Sequence, residues 1–243
     1  MYTLVVPMSR HRLLSAHVAP HGERAGRAYD RLLALIVRGR LAPGARVQEA
    51  ALALQLGVSR TPIRAALDRL ARERFVVPAS MGLRVELIVA PLTDADIREL
   101  WTLMGAIEGA TALALDDVAP TTRRRLAAEM RATNDELAHL TLKPARQTDR
   151  IGEIMARFHV LFMEACAGPR LRTLHASILP HVQRYEWAFH AAHDYEPSIA
   201  EHAAICRKIE SGDPKRLRAH IESHWANGMQ RRLEQARRAT VRR

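Results

Sequence analysis

The stretch Leu56-Gly57-Val58-Ser59-Arg60-Thr61-Pro62-Ile63-Arg64-Ala65-Ala66-Leu67-Asp68-Arg69-Leu70 reads as the turn and second helix of a helix-turn-helix. Gly57 supplies the sharp turn, and Ser59 stands where the following helix needs its N-cap. Pro62 fits only the first helical turn, where its missing N–H breaks no bond. Ile63, Ala66, Leu67 and Leu70 recur at helical spacing and share the face that packs inward. Arg60, Thr61 and Arg64 are left pointing outward from the N-terminal end. A recognition helix presents that end to base edges in the major groove.

The flanking residues extend the pattern over 24–92. Upstream, Tyr29, Leu32, Leu33 and Ile36 form an apolar helical stripe that stops at Gly39. A turn at Leu41-Ala42-Pro43-Gly44 leads to a short helix carrying Glu49, Leu52, Ala53 and Leu56. Downstream, Phe75–Pro78 and Leu83–Leu87 are β-rich runs flanking Ala79-Ser80-Met81-Gly82, a hairpin with glycine near its tip. Three helices followed by a hairpin make a winged helix.

Charge follows the same division. The chain of 243 residues carries a formal +11, with 37 Lys+Arg against 26 Asp+Glu. Residues 1–92 hold 14 arginines, no lysine and 6 acids, whereas 93–230 are slightly acidic. A basic N-terminal domain is suited to neutralising phosphates. Residues 231–243 hold 6 arginines and one glutamate, and read as a basic, solvated C-terminal tail. Residues 1–23 read as a flexible extension without a proper signal peptide, since Arg10, His11 and Arg12 follow the short Val5-Val6-Pro7 run. Cys166 and Cys206 lack a paired motif and read as reduced and buried, as in a cytoplasmic protein. No apolar run approaches the roughly 18 residues of a membrane span.

After Pro91 the periodicity is helical throughout. Thr93 caps a helix through Ile97, Met104 and Ile107, and Pro120 starts a second with Leu126, Met130 and Leu137. A third carries Ile151, Phe158 and Phe162, and a fourth runs from Leu171 through Pro180, where a kink is expected. The fifth starts near Pro197 and stops at Ser211-Gly212, and the sixth runs from Pro214 through Leu217, Ile221, Trp225 and Met229. The fold class is therefore mostly α: a winged helix-turn-helix followed by an all-α six-helix bundle over 93–230.

The N-terminal pattern resembles the GntR family of bacterial transcription regulators. The residues that carry the resemblance are Gly39-Arg40-Leu41-Ala42-Pro43-Gly44, Glu49, Leu52-Ala53, Leu56 to Arg64, and Gly82-Leu83-Arg84-Val85. It implies that Arg46, Arg60, Arg64 and the wing glycine Gly82 lie at the DNA, beside Ser59 and Thr61. The bundle resembles the FCD domain of the FadR subgroup, through Asp96-Ile97, Glu108, Phe158-His159, Glu201 to Ile205, Gly212-Asp213 and His224.

Many such domains hold a divalent metal with three histidines and an aspartate. The histidines carry over as His159, His202 and His224, while the aspartate position is Met155. An arginine that often meets an acidic effector in the family is replaced by Met104. Two readings follow. Three neutral imidazoles with water can hold Zn²⁺. Alternatively, the site has become a softer apolar pocket lined by Met104, Met155 and the histidines. His220 and His224, four residues apart, form a further potential chelating pair.

The function expected is a ligand-responsive, sequence-specific regulator, a repressor, that binds a double-stranded DNA operator as a homodimer. Its helical domain, 93–230, would take a small-molecule effector. A ligand-free dimeric DNA-binding protein is a second class. A metal-dependent hydrolase is a third, although the chain has no His-Glu-x-x-His, no nucleophile elbow and no Gly-rich phosphate loop.

Overall fold

The computed structural model describes residues 20–81, 84–142, 148–189 and 194–241. The first helices are α1 (Pro20–Val37), α2 (Glu49–Leu56) and α3 (Arg60–Arg72), followed by a hairpin of β1 (Val76–Met81) and β2 (Arg84–Val89). Six longer helices come next: α4 (Asp94–Ala112), α5 (Pro120–Thr141), α6 (Thr148–Cys166), α7 (Pro169–Phe189), α8 (Glu196–Ser211) and α9 (Pro214–Val241). A 3-10 turn at Leu113–Asp117 follows α4. This is the expected winged helix-turn-helix and six-helix bundle.

Gly57 ends α2 in the left-handed region, with φ +67°. Its N–H donates to Leu54 O at 3.2 Å, and Val58 N–H donates to Ala53 O at 3.0 Å. Those two bonds satisfy carbonyls that the helix end would otherwise leave open, and they turn the chain into α3. Leu32, Ile63, Ala66, Leu67, Leu70 and Phe75 are buried, as the spacing requires. β1 runs on to Met81, three residues past the β-rich run that ends at Pro78, and β2 runs on to Val89, two residues past Leu87. Gly82 lies outside the described residues, as do residues 1–19, 242 and 243.

The chain divides into two compact units, one holding Arg46–Leu87 with α1 up to Leu33, the other holding Ala34–Ala45 with Ile88–Arg243. The division differs from a boundary at 92 because hydrogen bonds tie the turn after α1 to the segment that enters the bundle. Gly44 N–H donates to Val89 O and Val89 N–H to Ala45 O, both at 2.9 Å. Arg184, buried in α7, donates to Ala90 O at 2.5 Å. The Tyr185 hydroxyl accepts from Thr93 N–H at 3.0 Å, and Thr93 Oγ1 caps α4 by accepting from Asp96 N–H at 3.1 Å.

Within the helical unit, α4 and α9 pack along each other, and α5 is flanked by α6 and α8. The core is built from Ile97, Trp101, Met104, Phe158, Phe162, Tyr185, Ile221 and Trp225, among others. α7 runs through Pro180 as one element. Cys206 is buried and Cys166 half-buried, and burial pushes both thiols up to about 11.

The C-terminal segment corrects the reading of a solvated tail. α9 continues to Val241, with Arg232 and Leu233 buried. The Arg232 guanidinium pairs with Glu186 of α7 and donates to Gln235 at 2.6 Å. Leu233 lies in an arginine-rich run, yet it belongs to the core. Leu233→Ala should cost about 2–5 kcal/mol, the range for emptying a buried leucine site. Arg237→Ala, on the exposed face of the same turn, should change stability by less than about 0.5 kcal/mol. Urea unfolding of both variants checks this, and equal effects would contradict the burial of α9.

Candidate nucleic-acid interface and histidine cluster

The exposed end of α3 carries Ser59, Arg60, Thr61 and Arg64, all of them solvent-facing. Ser59 occupies the N-cap with extended backbone, but its side chain makes no capping bond. Two of the expected DNA-facing arginines are held by acids of their own unit. Arg64 forks onto Glu49 at the start of α2, with Nε and a terminal nitrogen 3.3 and 3.0 Å from the two carboxylate oxygens. That hydrogen bond pulls the Glu49 carboxyl below its ordinary range. Arg46 Nε lies 3.3 Å from Glu86 on β2. Exposed pairs of this kind contribute little to stability, so a phosphate or base edge can displace the acid. Glu49 holds Arg64 in place without sequestering it.

The second site lies inside the bundle. His159 of α6, His202 of α8 and His224 of α9 are buried, and one ring nitrogen from each lies within 4.8 Å of the other two. The His202 and His224 ring centroids are 4.8 Å apart, and those of His159 and His224 are 5.2 Å apart. Phe158 stacks on His202 at 3.8 Å, nearly parallel, and fixes its plane.

Each ring is also anchored through Nδ1. His159 Nδ1 lies 3.0 Å from Glu108 Oε2, His202 Nδ1 lies 3.1 Å from Asn134 Oδ1, and His224 Nδ1 lies 2.7 Å from Glu201 Oε2. An ionised carboxylate only accepts, so His159 and His224 donate from Nδ1. Asn134 uses its amide NH₂ on Ile199 O at 3.0 Å, which turns its oxygen toward His202. His202 therefore also donates from Nδ1. All three Nε2 atoms are left with their lone pairs, and that of His202 is buried with no hydrogen-bond partner.

Burial disfavours the charged form of His202 and His224. Burial lowers the basicity of His202 well below that of free imidazole, and His224, His159 and Arg231 nearby lower it further. Burial also lowers His224, although its bond to Glu201 works the other way. Burial would raise the Glu108 carboxyl, but His159 and His175 overcome that penalty and hold it below the carboxylate range. Glu108 accepts from His159, from His175 Nε2 at 3.1 Å and from Trp225 Nε1 at 3.0 Å. For Glu201 the burial penalty is outweighed by His224, Arg231 and Asn227, which bring its carboxyl down to about 2.

A cavity of about 40 Å³ opens beside the cluster and is lined by residues that include His159, His224, Met155, Trp101 and Arg231. Met155 thus shares a wall with His159, as its position four residues earlier implies. Met104 is not among the residues that line this cavity, and it is fully buried in the bundle core. His220 is not part of the cluster, because its Nδ1 turns to Arg216 O at 2.8 Å on the surface. Asn134, His175 and Arg231 were not picked out in the sequence. Asn134 falls on the apolar face of α5 between Met130 and Leu137, and a polar residue there is a legible signal. Arg231 lies two turns beyond His224 on the same face of α9.

Comparison with known proteins identifies the class. Residues 24–82 match the pattern of bacterial regulatory proteins of the gntR family, and residues 99–227 match the FCD domain. The chain belongs to the GntR family, in the combination with an FCD domain that marks its FadR subgroup. It is a DNA-binding transcriptional regulator with an effector-binding domain, not an enzyme. It is 24% identical over 200 residues to the HTH-type transcriptional regulator YdhC of Bacillus subtilis (strain 168), covering 81% of this chain and 85% of that one. The fold matches a GntR transcriptional regulator from Rhodococcus sp. RHA1 with TM-score 0.69 and 22% identity, over 87% of this chain and 98% of that one. It also matches E. coli McbR/YncC with TM-score 0.70 and 19% identity, over 88% and 98%. Among the described residues no helix is long and apolar enough to cross a membrane.

Glu108 is the shared acceptor of three buried donors, so its loss should be costly. Glu108→Ala should destabilise the protein by about 3–5 kcal/mol, the range for breaking a buried charged network. Glu108→Gln, which keeps one acceptor, should cost less. Chemical denaturation measures both, and two variants as stable as the parent would contradict the network.

Proposed function

We propose that this regulator is a cytoplasmic homodimer, that it represses transcription from a two-fold operator, and that its bundle holds a divalent metal, zinc being the natural candidate, beside the effector. The observation that carries this reading is the cluster of three buried histidine rings, each oriented by a partner at Nδ1, with the Nε2 of His202 buried and unsatisfied. A buried imidazole nitrogen without a partner is unfavourable, and a cation supplies that partner. Three histidines from three helices match the protein part of an open zinc site, with a position left for water or a ligand. The bound metal would supply Lewis acidity to hold the polar end of an effector. Met155 in place of a carboxylate leaves the ligand set neutral, so the site should bind its ion less tightly than one with an aspartate.

In this reading residues 24–92 bind DNA and residues 93–230 bind effector and dimerise. Arg60, Thr61 and Arg64 address the major groove, with Ser59 at the helix start, Arg46 on the backbone and Gly82 in the wing. Two recognition helices in a dimer read two half-sites, which one helix alone is too small to do with genomic specificity.

Two experiments test this reading. Elemental analysis of protein purified without chelator should find close to one metal per chain, and His202→Ala should lose it while Met155→Asp holds it more tightly against a chelating dye. Metal-free parent protein that takes up no zinc on titration would refute the assignment. For DNA, Arg60→Ala and Arg64→Ala should each weaken operator binding by about 1–3 kcal/mol without changing thermal stability. Unchanged affinity in both variants would remove α3 from the interface.

A further inference from the structure

Glu49, on the first turn of α2, meets Arg64, on the second turn of α3, at the exposed end of the helix-turn-helix. The contact uses one particular edge of the guanidinium. Nε lies 3.3 Å from Oε1 and Nη2 lies 3.0 Å from Oε2 of the carboxylate. Those two nitrogens form the side edge of the planar fork. The end edge, made by Nη1 and the outer N–H of Nη2, offers two further donors, and Glu49 does not touch it. Arg64 keeps 66% of its side chain exposed within the pair, so that edge is open to a ligand.

Two kinds of acceptor on a duplex compete for such an edge. A phosphate carries a full negative charge, and reaching Arg64 brings it beside the Glu49 carboxylate. Like charges about 4 Å apart in water disfavour that arrangement roughly fivefold. A guanine edge offers O6 and N7 instead, two neutral acceptors at the spacing of a bidentate guanidinium. It meets no such repulsion. Glu49 is ionised near neutral pH, because its bond to Arg64 pulls the carboxyl below the ordinary range and Arg60 adds to the pull. The acid also orients a long side chain in advance, which lowers what ordering costs on binding. The pair is exposed and weak, so it biases the arginine without locking it.

We infer that Glu49 is a specificity-determining residue of the DNA site: it holds Arg64 by the side edge, leaves the end edge to read a guanine, and turns phosphates away. This rests on the reading of α3 as the groove-facing helix and adds how one of its arginines discriminates. Glu49 is a positioning residue with a second, repulsive role, the kind of element that specificity requires. Its removal leaves a protein that binds DNA more readily and chooses less well. Arg60, one turn earlier on the same helix, is the internal comparison, because its part in DNA binding does not run through this pair.

The test uses full-length protein and a duplex that it selects from a randomised library. Fluorescence anisotropy over a series of salt concentrations gives Kd for the selected duplex, for each single-pair replacement in it, and for a duplex of unrelated sequence. Arg64→Ala marks the guanine, as the position whose preference it abolishes. Replacing that guanine should cost the parent at least about fivefold and Glu49→Gln less than about twofold. Glu49→Gln should also bind the unrelated duplex at least about threefold more tightly at about 0.1 M salt. Glu49→Ala should do both, and thermal melting checks that each variant is folded. In a double-mutant cycle, Glu49→Gln should not alter base preference further in the Arg64→Ala background, yet should act as in the parent in the Arg60→Ala background. A Glu49→Gln protein that keeps the full guanine preference, or that binds every duplex more weakly, overturns the inference while Arg64 still reads a base. An Arg64→Ala protein that keeps every preference of the parent refutes the placement of Arg64 itself, and the inference with it.

Discussion

Everything the bundle offers a ligand depends on three hydrogen bonds made at the far side of three imidazole rings. Glu108, Asn134 and Glu201 each accept from an Nδ1–H, and in doing so they decide which nitrogen of His159, His202 and His224 keeps its lone pair. Remove them and the rings are free to flip or change tautomer, and the cluster becomes three ordinary buried histidines. The acceptors are themselves fixed. Asn134 is locked by Ile199 O, Glu201 by Arg231 and Asn227, and Glu108 by His175 and Trp225. A chain of satisfied polar groups thus converges on a centre where one nitrogen, on His202, is not satisfied. Such a concentration of buried polar groups is unfavourable for folding alone, and it becomes intelligible when a ligand completes it.

The same residues connect the cavity to the start of the bundle. Trp225 packs against His159 and His224, Trp101 meets Trp225 edge-on at 6.4 Å, and Trp101 meets Tyr185 at 5.8 Å. The Tyr185 hydroxyl then bonds Thr93 and Asp96 at the first turn of α4. Its neighbour Arg184 holds Ala90, where the chain leaves β2. Ring contacts and hydrogen bonds thus run from the cavity wall at Trp101 to the segment that follows β2. The Arg184 guanidinium is buried, and burial lowers its basicity.

Much of this was legible in the sequence, and the limits have physical causes. Period and punctuation gave the winged helix, the six bundle helices and the inward face of α3, because those signals are local. The three histidines were legible through the family resemblance, and the structure brings them together. Three features were not. Arg231 and Arg232 lie in a run of arginines whose composition resembles a solvated end, and only Leu233 and Ala236 mark the continued apolar face of α9. Asn134 and His175 act across the bundle on partners 68 and 67 residues away, a relation that no local pattern encodes. Met104 shares a helix face with Glu108 by spacing, yet close packing in the core takes it away from the cavity. Local rules located the elements, and tertiary packing decided which of their polar residues face one another.

The central claim concerns protons on nitrogen, so the most direct measurement observes them. Long-range proton–nitrogen correlation spectra of the histidine rings in metal-free protein near neutral pH report the tautomer of each. The account predicts that His159, His202 and His224 all carry their proton on Nδ1, and that the three Nε2 resonances shift together on addition of one equivalent of zinc. Nε2-protonated rings, or protonated imidazolium at two or more of the three positions, would contradict it.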